Sequence, residues 1–106
     1  MAGAFFENFV ISEIIKSYYN QGISDLPLYF YRDKEKKEVD LIIEDGGILY
    51  PIEIKKHADP QKSDAKNFAV LEAIPGVKIG QGGIVCTYNN LISLGEKIKV
   101  IPVNYL

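Results

Sequence analysis

The chain has 106 residues, room for one domain with one modest core and too few for two. Hydrophobic residues make up 47% and charged residues 25%, a globular balance, and the net charge of −2 creates no overall field that draws in nucleic acid, although a local basic groove stays open. The lone Cys86 excludes an internal disulfide and a cysteine-based zinc cluster, and no apolar run reaches the roughly 18 residues that span a membrane.

The opening stretch MAGAFFENF lacks the basic and extended apolar regions of a secretion signal, so the cytoplasm is the expected compartment. Residues 4–19 contain no Gly or Pro and predict a helix closed by Gly22. The aromatic run LYFYR, residues 28–32, follows Pro27 and reads as a strand, and residues 33–36 form a charged turn. Residues 39–43 and 48–54 read as two more strands around the turn signal Asp45-Gly46-Gly47. Asp59-Pro60 reads as an N-cap and first-turn proline of a helix running to about Ala73, ahead of Pro75-Gly76. Residues 82–87 and 98–103 give the last two strands, with Pro102 suggesting an edge position for the final one. The order α-β-β-β-α-β-β predicts an α/β domain with a central mixed sheet flanked by helices. Cys86, inside GGIVCT, reads as a small buried apolar residue.

The hairpin over residues 38–56 carries charges where Val or Thr would pair better. Strand alternation puts Val39, Leu41 and Ile43 on one face with Tyr50, Ile52 and Ile54, and sends Asp40, Glu53 and Lys55 to the other. With Gly46-Gly47 as the turn, Asp40 falls opposite Glu53; with Asp45-Gly46, the two become diagonal neighbours. Two close carboxylates repel unless a proton or cation lies between them, and Mg²⁺ or Mn²⁺ prefers such oxygen donors. A solvated sheet face with a cross-strand Lys–Glu pair is the alternative.

Glu7 adds a third carboxylate. At ~100° per residue, Ile11 lies near ~40° from it, Ile14 near ~340°, Tyr18 near ~20° and Val10 near ~300°. Glu7 then sits inside an apolar stripe, either capping backbone amides or completing a site with Asp40 and Glu53.

A helix carrying Glu7, a strand carrying Asp40 and a strand carrying Glu53-x-Lys55 resemble the PD-(D/E)XK nuclease superfamily. Val39 stands where that motif has proline. The segments GAFFENFVISEIIK, FYRDKEKKEVDLIIE and YPIEIKK, with the ending IPVNYL, look like the C-terminal domain, catalogued as of unknown function, of prokaryotic AAA-type ATP-binding proteins. This resemblance covers nearly the whole chain. It implies a restriction-endonuclease-like fold and a single nuclease-like domain, residues 1–106, belonging to a longer ATPase. It also implies Mg²⁺ or Mn²⁺ on Asp40, Glu53 and Glu7, a catalytic Lys55 assisted by Glu7, and DNA and the upstream ATPase domain as partners. A non-catalytic docking module is the other expectation.

No phosphate-binding loop accompanies these residues: Ile79-Gly80-Gln81-Gly82-Gly83 lacks a lysine and reads as a turn. Phe5, Phe6 and Phe9 lie away from the Ile11–Ile14 direction, marking either a partner surface or a second packing layer. His57 shares the parity of Glu53 and Lys55 and is either a metal or phosphate neighbour or a solvated loop residue. Tyr29, Phe30 and Tyr31 beside Arg32, Lys34, Lys36 and Lys37 read as base-stacking groups or as an aromatic strand with a solvated turn. Lys62 and Lys66 share a solvent-facing side of the second helix.

Overall fold

Gly46 and Gly47 have φ of 61° and 82°. Two successive positive φ values make the tight hairpin turn whose twist matches the strands it joins. In the computed structural model, which describes residues 3–88, 91–95 and 97–106, this turn joins β2 (Glu38–Asp45) to β3 (Ile48–Ile54). It sets Asp45 opposite Ile48 and carries the pairing to Leu41 opposite Ile52, the first of the two registers expected from sequence. β1 (Leu28–Arg32) runs antiparallel to β2 on its other edge.

The remaining strands are β4 (Lys78–Ile79), β5 (Gly82–Cys86), β6 (Ile92–Ser93) and β7 (Ile98–Pro102). The sheet order is β1-β2-β3-β5-β7-β6, with β4 also parallel to β3. β3, β5 and β7 are parallel neighbours, and the others pair antiparallel apart from β4, so the sheet is mixed, as expected. β7 is not the edge strand suggested by Pro102. The two-residue β6 covers it, but only at Val100 and Lys99, and Pro102 lies beyond that pairing.

α1 (Gly3–Asn20) ends where Gly22, at φ 81°, lets the Ile23 N–H turn back to the Tyr18 carbonyl. Its buried stripe is Phe6, Val10 and Ile14, packed on Leu41, Ile52, Ile54 and Val85. This corrects the sequence reading in two ways. Phe6 belongs to the core stripe, which centres on Val10, and Glu7 stands at the stripe's border rather than within it.

The opposite sheet face is covered by a 3₁₀ helix, Lys62–Ala73, through Ala65 and Leu71. The expected cap is also corrected. The helix starts from Gln61, whose N–H donates to Asp64 at 2.9 Å, while Asp59 accepts from the Gln61 side chain at 2.8 Å. Pro60 is buried just ahead of it. A second 3₁₀ turn, Val103–Tyr105, follows β7. Cys86 is buried within the second core, as expected. The segment Ile79-Gly80-Gln81-Gly82-Gly83 runs from the end of β4 into β5, with Gly80-Gln81 as the connection. A Cβ at Gly80 would run into the Tyr50 ring and one at Gly82 into the Phe68 ring, which accounts for glycine at both positions. Among the described residues, no helix is long and apolar enough to cross a membrane.

Candidate functional site

Two steps along β1, from Tyr29 to Tyr31, correspond to three along β2, from Ile42 to Val39. Asp40 and Leu41 therefore face the single residue Phe30, which is a β-bulge. The bulge inverts the alternation at the start of β2. Leu41 packs with α1, whereas Val39 joins Ile42 and Leu71 in the opposite core, not the Leu41 face predicted from simple parity. Asn67 of the 3₁₀ helix donates to the Glu38 carbonyl at 3.2 Å and ties this end of β2 down.

The bulge re-aims Asp40. Its Oδ2 accepts the backbone N–H of Ile54 at 2.8 Å, beyond the point where regular β2–β3 pairing stops. Glu53, one residue earlier on β3, is 7% exposed. Its carboxyl is pushed up to about 8, first by burial and then by hydrogen bonding to Asp40 and by the Asp40 charge. The Lys55 ammonium, 3.7 Å from Glu53 Oε2, pulls the other way. Burial beside Asp40 thus favours the protonated form of Glu53.

Glu7 overlooks this pair from α1. Burial raises its carboxyl above the ordinary range, the charges of Asp40 and Glu38 raise it further, and Lys55 opposes them. Glu7, Phe30, Arg32, Glu38 and Asp40 line one cleft of about 260 Å³ between α1 and the β1–β2 edge. Asp40, Glu53 and Lys55 are therefore gathered at one end of the sheet with Glu7 in their electrostatic field. Among the described residues, no three His, Cys, Asp or Glu side chains are grouped to hold one ion, so Glu7, Asp40 and Glu53 do not make one three-carboxylate cluster.

The donor chemistry fits a hard divalent cation at the pair. Two carboxyls abut in a mostly buried corner, where burial and the Asp40 charge raise Glu53 against the pull of Lys55, and a cation between them would relieve that repulsion. Mg²⁺ commonly takes one or two carboxylates and keeps several waters.

Glu38 was not among the residues picked from sequence. It lines the cleft, raises Glu7 and accepts from Arg32 Nε at 2.6 Å, with Arg32 Nη2 on the same oxygen. The EVD spacing that places it two residues before Asp40 was the available signal. His57 goes elsewhere: its Nε2 lies 3.7 Å from Asp64 Oδ2, and its Nδ1 accepts from the Asp59 N–H at 3.4 Å. Of the aromatic strand, Tyr31 packs into the core, while Tyr29 and Phe30 stay exposed. Phe5 and Phe9 are exposed on the outer side of α1.

A family model described as a domain of unknown function (DUF4143) matches residues 2–106. No curated protein and no solved structure matches the chain significantly.

Proposed function

The chain belongs to the DUF4143 family of domains of unknown function, and we propose that its site is a nuclease-type centre hydrolysing DNA phosphodiesters with Mg²⁺ or Mn²⁺. The observation that carries this reading is the convergence of Asp40, Glu53 and Lys55 at the bulge, with the Glu53 carboxyl buried beside Asp40 and Lys55 3.7 Å from it. Asp40 and Glu53 would hold the ion, and Glu7 would face its waters. A bound divalent ion supplies a water of lowered pKa and positive charge for the phosphoryl oxygens. Lys55, 40% exposed at its side chain, reaches out from Glu53 and can hold a developing negative charge or orient the attacking water. The resemblance to PD-(D/E)XK nucleases and to the C-terminal domain of prokaryotic AAA-type ATP-binding proteins supports the same reading. It makes an upstream ATPase domain the natural partner and the cytoplasm the place of action.

A second reading, a non-catalytic module docking on that ATPase or another protein, is favoured by Phe5 and Phe9, which are 71% and 45% exposed on one side of α1. Incubation of plasmid and branched DNA with Mn²⁺, beside Lys55→Ala and Asp40→Asn, tests the first reading. Cleavage lost in both variants supports it. Cleavage that survives both excludes this site. Absence of Mn²⁺ binding at millimolar concentration leaves the docking reading.

A further inference from the structure

Phe30 is 68% exposed, although its strand neighbours Leu28 and Tyr31 pack into the cores on either side of the sheet. The extra residue of the bulge lies on β2, so β1 itself is regular. Phe30 and Arg32 therefore share a face, about 6.5–7 Å apart along the strand. Both line the cleft that holds Glu7, Glu38 and Asp40, and Phe30 is the residue that the bulged Asp40 faces.

A flat apolar ring and a guanidinium at that spacing fit the two ends of one nucleotide. The ring offers a stacking face for a base, and the guanidinium offers its fork to a phosphate. Arg32 is engaged by Glu38, but its side chain is 77% exposed and that of Glu38 44%. Exposed pairs of this kind are weakly held, so a phosphate can compete for the guanidinium. Bases within a duplex have both faces covered by their neighbours. A single protruding ring can be stacked only by a base that is unpaired or has left the stack.

We propose that Phe30 and Arg32 form a recognition site for one unpaired nucleotide of single-stranded DNA. The base stacks on Phe30 and the phosphate binds Arg32, which brings the adjoining phosphodiester to Asp40 and Glu53. This assignment rests on the nuclease-type reading and names its substrate class. The cleft is otherwise acidic, with Glu7, Glu38 and Asp40 against Arg32. Phosphate entry is therefore coupled to a divalent cation that offsets those carboxylates.

Fluorescence anisotropy with a labelled single-stranded oligonucleotide and its duplex, in Mg²⁺ and in EDTA, tests the proposal. The expected result is Mg²⁺-dependent binding that favours the single strand. Phe30→Ala should weaken it about five- to a hundredfold and leave duplex binding unchanged. Phe30→Tyr should restore it. Arg32→Ala should weaken it and lower the salt dependence by about one counterion. Single-strand binding that is indifferent to Phe30→Ala, or no binding by the wild type, overturns the proposal. Cleavage followed on the same DNA separates the two readings. Phe30-dependent binding without hydrolysis removes the nuclease activity and keeps the nucleotide site. Hydrolysis that ignores Phe30 does the converse.

Discussion

The Glu53 carboxyl, buried at the end of β3, lies beside the Asp40 carboxylate across the hairpin and is pushed up to about 8 by burial first and then by Asp40. This gives the domain a stability that depends on pH. Between the ordinary value of 4.5 and about 8, the folded chain holds a proton at Glu53 that the unfolded chain has released. Stability rises with pH only where the unfolded state binds more protons, so here it falls. The contribution is full below the lower value and is lost as pH climbs through the upper one. Thermal melts in EDTA should show a falling Tm across this window, and Glu53→Gln should flatten it. A wild-type Tm with no downward slope there would mean that Glu53 ionises normally.

Asp40 separates a metal site from a scaffold. Asn at position 40 still offers an oxygen to the Ile54 N–H and removes a charge beside Glu53. Asp40→Asn should therefore leave the metal-free domain within about 1 kcal/mol of the wild type, on either side. Asp40→Ala instead leaves the Ile54 N–H without its acceptor and should cost about 1–3 kcal/mol. Mn²⁺ should raise the Tm of the wild type by mass action and do so much less for Asp40→Asn. A destabilised Asp40→Asn, with no response of the wild type to Mn²⁺, would assign Asp40 a structural role alone.

The two neighbouring phenylalanines of α1 should behave oppositely. Phe6 is 4% exposed and packs on the sheet, and Phe5 is 71% exposed. Phe6→Ala should cost about 3–5 kcal/mol in urea unfolding. Phe5→Ala should stay within about 0.5 kcal/mol. Equal effects would contradict this orientation of α1.

Gly82 opens β5 beneath the ring of Phe68, and an added Cβ would overlap that ring. Gly82→Ala should destabilise by about 1–3 kcal/mol, the usual cost of overpacking a filled core. The double variant with Phe68→Leu should recover part of that loss, and a double-mutant cycle measures the coupling. No recovery would place the strain elsewhere.

Local chemistry alone determined the hairpin. Gly46-Gly47 demands a turn with positive φ, and that turn dictates a register that runs from Asp45–Ile48 to Leu41–Ile52, one step short of Asp40 and Glu53. The extent of α1 was equally legible, because an uninterrupted run ending at Gly22 leaves little choice. Contacts distant in sequence decided the rest. The bulge at Asp40 depends on how β1 pairs with β2, and it sent Val39 to the opposite core and brought Glu38 to the cleft beside Glu7. The 3₁₀ helix starts at Gln61 rather than Asp59 because Pro60 is drawn into the interior, and Asp64 rather than Asp59 receives the first free N–H. Phe6 is core and Phe5 is not because the sheet meets α1 along the direction of Val10, a direction the helical period allows but does not select. β4 and β6, two residues each, carry almost no pattern of their own and exist because β3 and β7 present free edges for them to pair with. The sequence alone thus identified the chemical groups at the hairpin. How the cleft around them is shaped, with Phe30 and Arg32 at its rim, was decided by the one extra residue in β2 and by the packing that holds it.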